Sequence, residues 1–279
     1  MSDFWFLSFA NSSLDGFIRS PLKRIRRQAE AMGVFGDRIR VWTENELDGG
    51  FREKMKEHLV PGSRGYGYWC WKPQVVLQLF SEMKDGDVLL YADAGCHLNP
   101  KGKKRLNEYF AMAKEHGIVA FQARTLDNPP RHFLLDGDWC KGDLLDFFDV
   151  RKDEVVTQTG QLGGTSFIVS KNKLTTRFFE EFRQVFYDHF PLCDDSASNS
   201  PNLCGFVENR HDQSVFSLLG KKNAVFSISA CEYDPMERDG GWKRMADFPI
   251  WSKHDKGGVR SLFPSWFKRV VHYVTGGKV

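Results

Sequence analysis

Gly65-Tyr66-Gly67-Tyr68-Trp69-Cys70-Trp71-Lys72-Pro73, then a helical segment, the turn Asp85-Gly86-Asp87 and the run Val88-Leu89-Leu90-Tyr91-Ala92-Asp93-Ala94-Gly95, decide the fold. Pro73 suits a first helical position, where a missing backbone N–H costs nothing. Val75, Val76, Leu79, Phe80 and Met83 recur at helical spacing and predict a one-sided helix. Five apolar residues in a row after a tight turn predict a central parallel strand with helices over both faces of its sheet. Asp93 leaves that strand directly into two small residues. Ligands of open α/β sheets bind beyond the carboxyl ends of the strands, so this carboxylate is placed to meet a ligand or a metal. Capping a helix is the competing use.

Working outward, a chain of 279 residues is long enough for one large α/β domain, read here as residues 1–258 with a basic and aromatic tail over 259–279. The formal charge of +3 is close to neutral, so composition does not point to nucleic acid and any basic patch is local. Six cysteines without a C-x-x-C pair fit reduced thiols, and the first residues lack the basic start of a signal peptide. No apolar run is long enough to span a membrane. The expectation is a cytoplasmic protein.

Phe4 to Ala10 reads as the first strand, which makes Ala10 and Asn11 candidate nucleotide contacts at its end. Pro21 to Met32 reads as a helix ending at Gly33, with Leu22, Ile25 and Ala29 inward and Lys23, Arg24, Arg26 and Arg27 elsewhere. Further strands are expected over 39–42, 118–123 and 165–170, with the last over 224–229. Further helices are expected over 51–58, around Leu106 to Ala113, and over 173–189 through Leu174, Phe178, Phe182 and Val185. Gly160-Gln161-Leu162-Gly163-Gly164 reads as a lead-in to a strand, by a plain turn or by close approach to a ligand. Residues 194–202 read as a mobile polar loop. The basic runs 19–27 and 101–105 read as solvated helix faces, with phosphate binding as the sharper alternative.

The chain has no G-x-x-x-x-G-K-[ST] loop, no G-x-G-x-x-G after its first strand, no G-x-S-x-G and no H-E-x-x-H. These absences argue against ATP-hydrolysing, dinucleotide-dependent and esterase chemistry. What remains is a set of strand-end polar groups: Asn11, Asp93, Gln161, His211-Asp212-Gln213 and His254. Such a set can hold a divalent cation, Mn²⁺ or Mg²⁺, that clamps a diphosphate. Lys72, Arg64 and Arg24 can supply positive charge, and Trp69 and Trp71 can stack on a sugar ring or a base, with core packing as the plainer role for one of them.

Arg64 to Pro73, Asp85 to Cys96 and Glu208-Asn209-Arg210-His211-Asp212-Gln213-Ser214 together resemble bacterial GT-A type glycosyltransferases of capsule and lipopolysaccharide synthesis. The resemblance spans most of Phe4 to Ile228. It implies a Rossmann-like GT-A domain that transfers a sugar from a nucleotide diphosphate donor, a UDP-sugar, to a saccharide or lipid-linked saccharide acceptor. Tyr91-Ala92-Asp93-Ala94-Gly95 is similar to the D-x-D position, with Gly95 where the second acid of that pattern stands. By this resemblance Asp93 and Asp212 are catalytic, Asp212 at the position that is the general base in inverting members; the residues leave inverting and retaining chemistry both open. Ala10, Asn11, Arg24, Arg64, Tyr68, Lys72, Asp93, Ala94 and Gly95 would face the donor. Trp71, Gln161, Gly163, Gly164, His211 and Gln213 would face the acceptor, and Asp93 and His254 a cation. The tail would touch the inner face of the cytoplasmic membrane, and no nucleic-acid partner is implied. A non-catalytic nucleotide- or glycan-binding protein that keeps the fold is the alternative, motivated by Gly95.

Overall fold

The computed structural model describes residues 3–13, 20–123, 135–234 and 241–255. Its first half comprises β1 (Phe4–Phe9), α1 (Pro21–Met32), β2 (Ile39–Trp42), α2 (Gly49–Lys54), α3 (Gly65–Tyr68), α4 (Trp71–Phe80) and β3 (Val88–Ala92). Next come β4 (His97–Leu98), α5 (Lys103–His116), β5 (Ile118–Gln122), α6 (Asp136–Trp139), α7 (Gly142–Phe147) and α8 (Glu154–Thr157). The described chain ends with β6 (Leu162–Ser170), α9 (Lys173–Asp188), α10 (Asp212–Lys222), β7 (Phe226–Ser229) and β8 (Ile250–Trp251).

Alternation along the strands builds two apolar layers, because successive side chains point to opposite faces of a sheet. Trp5, Leu7 and Phe9 of β1, with Leu89 and Tyr91 of β3, join the layer that holds α4, α9 and α10. Phe6, with Val88, Leu90 and Ala92, joins the layer that holds α1 and α5. Each fully buried Phe or Leu contributes about 1.5–3 kcal/mol. The sheet order is β2-β1-β3-β6-β5-β7, with β6 antiparallel to both its neighbours and the other pairings parallel. The expected mixed, mostly parallel sheet flanked by helices is what the chain forms. A separate antiparallel pair, β4 with β8, lies off the main sheet.

Local signals explain the element ends. Ser20 caps α1 by accepting from the Lys23 N–H at 3.1 Å, and Gly33 closes the helix with φ 65°. Gly86, at φ 86°, makes the turn into β3.

Several expectations need correction. α4 begins at Trp71, which makes Pro73 its third residue, and it is buried almost all round because α9 covers the side away from the sheet. β3 is parallel only to β1, since its other neighbour, β6, runs antiparallel. Gly163 and Gly164 lie inside β6 and do not form a turn before it. Leu174 is 79% exposed, so the buried side of α9 begins with Thr175 and Phe178. The segment after β7 returns to form β8, so 224–229 is not the last strand.

Residues 194–202 are tied down. Asp194 pairs with Lys141, Asn202 accepts from the Gly142 N–H, and the Asp143 carboxylate accepts from the backbone of Asn199 and Ser200. The 259–279 tail and its boundary at 258 lie outside the described residues. Among the described residues, no helix is long and apolar enough to cross a membrane.

Candidate functional site

A cleft of about 640 Å³ opens beyond the carboxyl ends of β1 and β3. Ala10 and Asn11 follow β1 into it, and Asp93, Ala94 and Gly95 follow β3; Arg64, Tyr66, Trp69, Trp71 and His254 complete much of the wall. The aromatic wall depends on unusual backbone. Tyr66, Tyr68 and Trp69 have φ of 52°, 52° and 60°, a left-handed conformation that costs roughly 1–2 kcal/mol per non-glycine residue. The intervening glycines permit the curl: a Cβ on Gly65 would lie 2.4 Å from the Trp69 ring, and one on Gly67 would lie 3.0 Å from the His58 carbonyl oxygen. Trp71 is anchored below, packed 4.2 Å from the Phe9 ring and donating from Nε1 to the Gly65 carbonyl at 3.0 Å.

Beneath the cleft lies a buried chain of charges. Lys72, 2% exposed in the first turn of α4, places Nζ 2.5 Å from Asp212 Oδ2, 2.8 Å from the Gly164 carbonyl and 3.4 Å from Asp93 Oδ1. The Tyr91 hydroxyl donates to the same Asp93 oxygen at 2.6 Å. Burial works against the Lys72 ammonium, but Asp212 and Asp93 together outweigh it and raise its pKa. Asp212 is 5% exposed; burial, helped by Asp93, pushes its carboxyl up to about 6 against the pull of Lys72. The three donors of Lys72 thus all serve the protein. It holds two carboxylates in place and is not among the residues lining the cleft.

Around α10 the candidate acceptor residues are bound to one another. His211, at φ 54°, sits against the rings of Tyr68 and Trp69, with Nε2 2.8 Å from Asp195 Oδ1. Burial lowers the pKa of its ring, against the pull of Asp195. Gln213 donates to Gln161 Oε1 at 2.8 Å and accepts from the Gly164 N–H at 3.3 Å, while Gln161 donates to the Trp139 carbonyl and Ser214 Oγ. Gly164 lets this helix approach β6, and Gly163, on the other face of the strand, makes room for Tyr233. A Cβ on Gly163 would lie 2.4 Å from the Tyr233 hydroxyl, and one on Gly164 would lie 3.3 Å from Asp212 Oδ2. Arg64 stands at the rim, 3.1 Å from Asp195 and 3.6 Å from Glu208.

Arg24 and Gly95 form a further knot. Arg24 donates to the carbonyls of Ala94 at 2.7 Å and Asp255 at 2.9 Å and pairs with the Asp255 carboxylate at 3.0 Å, so its guanidinium fastens the loop after β3 to residues 253–255. A Cβ on Gly95 would lie 3.3 Å from His254 Cα, and the Gly95 carbonyl accepts from the Asp255 N–H at 2.9 Å. The space an acidic side chain would enter at position 95 is filled by the backbone of His254 and Asp255. His254 lines the cleft with Asp93, its Nε2 3.2 Å from Ser252 Oγ. Among the described residues no group of three or more His, Cys, Asp or Glu could hold a metal ion. Asp93 and His254 would supply only two protein ligands, so a Mn²⁺ or Mg²⁺ ion held there would take the rest of its shell from a donor diphosphate and water.

The structure therefore brings Ala10, Asn11, Arg64, Trp71, Asp93, Ala94, Gly95 and His254 to one cleft, while Tyr68, Lys72, Asp212, His211, Gln161 and Gln213 are not among its lining residues. Tyr91 and Asp195 were missed. Tyr91 stands two residues before Asp93, on the same side of an extended chain, and period-two spacing could have found it. Asp195 lies in a polar loop with no local signal.

No family model and no curated relative matches the chain. Among solved structures it is similar to a glycosyltransferase involved in glycosylation of the major capsid of PBCV-1, at 9% identity over 91% of this chain and 98% of that one, TM-score 0.48. It is also similar to mouse xyloside xylosyltransferase 1, at 12% identity over 94% and 100%, TM-score 0.46. A 4-diphosphocytidyl-2C-methyl-D-erythritol synthase from Anaerococcus prevotii is similar at 10% identity over 82% and 87%, TM-score 0.39. These likenesses are low, and any activity has to rest on this chain's own residues.

Proposed function

We infer that the chain is a GT-A type glycosyltransferase whose domain spans residues 1–258. On this reading it works in the cytoplasm and moves a sugar from a UDP-sugar to a saccharide or lipid-linked saccharide acceptor in bacterial surface polysaccharide synthesis. One observation carries the reading: a strand-end carboxylate, Asp93, faces a cleft walled by aromatic rings and is fixed from behind by Tyr91 and Lys72. Its Oδ1 is engaged inside the protein, which leaves Oδ2 for a ligand hydroxyl. The rings of Tyr66 and Trp69 offer faces for a base or a sugar. Arg64 offers charge for the departing diphosphate, and stabilising that group lowers the barrier of a reaction that passes through an oxocarbenium-like state.

Asp212 enters as the group that holds Lys72, and through it Asp93. Asp212 is buried and bonded to Lys72, so service as the acceptor-side base would require it to exchange that partner for an acceptor hydroxyl. No step is assigned to a metal.

The test is a panel of nucleotide sugars, read by thermal shift and by nucleotide release, with Mn²⁺ and with a chelator. A donor at a hundred times its dissociation constant stabilises the fold by about 2.7 kcal/mol. Binding with nucleotide release supports transfer chemistry. Binding without release under any acceptor supports the non-catalytic alternative. No shift with any nucleotide sugar refutes the transferase reading and the nucleotide-binding form of the alternative.

A further inference from the structure

The two basic runs of the sequence, separated by more than seventy residues, meet on one surface. Gln28 of α1 accepts from the Leu98 N–H at 3.1 Å and meets the His97 ring nitrogen at 3.3 Å, which fastens α1 to β4. Asn99 donates to the carbonyls of Ala246 at 2.7 Å and Phe248 at 3.0 Å, which fastens the turn before α5 to residues 241–248. The Lys103 ammonium reaches the carboxyl end of α1, 3.9 Å from where a Cβ on Gly33 would stand. α1 buries Leu22, Ile25, Ala29 and Met32, and at 3.6 residues per turn this throws Lys23 and Arg27 to the opposite, outward side.

Lys23, Arg27, Lys101, Lys103, Lys104 and Lys243 are all exposed, and none of the six forms an ion pair among the described residues. The segments that carry them, 21–32, 100–116 and 241–247, also hold Arg24, Arg26, Arg105, Lys114 and Arg244 against the acids Glu30, Glu108, Glu115 and Asp247, a formal net of +7 where the whole chain has +3. The rest of the chain is correspondingly acidic, so the near-neutral total conceals a segregated charge. Such segregation generates an attractive field for a polyanion at this face.

We propose that this face docks on an anionic lipid bilayer. Five of the six cations are lysines, compact point charges suited to a diffuse headgroup potential; planar bidentate recognition of single phosphates or bases would favour arginine. Arg24 ties Asp255 to the same α1, and the sequence after Asp255 includes Leu262, Phe263, Trp266, Phe267, Lys268 and Arg269, a composition suited to a membrane interface. His254 lines the cleft next to this point, so docking would present the cleft mouth to a lipid-borne molecule. The docking itself does not depend on the glycosyl-transfer reading, because vesicle binding is measured without turnover.

The experiment uses the full chain, cosedimented with phosphatidylcholine vesicles with and without phosphatidylglycerol, at low and at physiological salt. It compares the natural protein with the variant Lys23→Glu, Arg27→Glu, Lys103→Glu, Lys104→Glu. Each cation near an anionic surface is worth about fivefold in partitioning, so losing four should weaken binding by at least about a hundredfold at low salt. An unchanged circular dichroism melt shows that the variant is folded. The proposal is overturned if the natural protein ignores phosphatidylglycerol, if the variant partitions as well as the natural protein, or if the natural protein binds duplex RNA but not vesicles.

Discussion

Replacing Lys72 by Met keeps a long apolar stem and removes only the ammonium. Asp212, 5% exposed and 2.5 Å from that ammonium, then becomes an unpaired buried carboxylate, a change that costs about 3–5 kcal/mol while the group stays ionised. Protonation offers an escape. Asp212 already titrates at about 6 with Lys72 present, above its ordinary 3.8, and loses its main stabilising partner in the variant. A raised folded-state value means that the native protein holds more protons than the unfolded chain between the two values, so stability falls as pH rises through that window. The window ends near pH 6 in the natural protein and extends higher in the variant. Lys72, whose own value is raised, stays charged throughout it. The penalty should therefore be small at pH 5, where Asp212 is largely protonated in both proteins, and about 3–5 kcal/mol at pH 8. Urea unfolding at pH 5, 6.5 and 8 measures it, with Lys72→Met/Asp212→Asn as the second variant, in which the pH-dependent part should vanish. A penalty independent of pH, or a double variant with the same pH dependence as the single one, would refute the reasoning.

Asp93→Asn should leave the melting temperature nearly unchanged and cut nucleotide release from the donor by at least about a hundredfold, in the range of losing one placed electrostatic group; retained turnover removes Asp93 from the site. Gly95→Asp should push residues 254–255 off the loop after β3, lowering stability by about 1–3 kcal/mol without creating metal dependence. An unchanged melt would show that the segment yields freely. Arg24→Met leaves the Ala94 and Asp255 carbonyls without their donor and should cost about 1–3 kcal/mol, with faster amide exchange at Asp255. Exchange there as slow as in the natural protein would show that the knot holds without Arg24.

Periodicity and turn chemistry made much of the sheet and most helices legible. The 21–32 helix was readable from Pro21, its inward Leu22, Ile25 and Ala29, and Gly33, because every one of those signals is local. The antiparallel course of β6 was not readable. A strand buried on both faces looks the same in either direction, and only its neighbours, Tyr91 against Phe167 for example, fix the sense. Asp93 could be placed at the ligand edge because strand ends are visible in sequence. The separation of Lys72 from the cleft could not, since a lysine at a helix start reads as solvated until the strand carrying Gly164 is known to lie over it. The same blindness to distant pairing made residues 194–202 look mobile, when Lys141 and the start of α7 hold them.

The position of β6 bears on how the chain can be synthesised. Emerging from the ribosome, residues up to Ala92 can assemble β2, β1 and β3, but the open side of β3 has no partner until residues 162–170 appear. β5 is made before its neighbours on both sides, β6 and β7. For that interval the nascent protein carries two apolar strands with unpaired backbone edges, the kind of surface on which chains aggregate or chaperones bind. When β6 arrives it joins both halves of the sheet in one event, so yield in cells should respond to translation speed between codons 93 and 170 more than anywhere downstream.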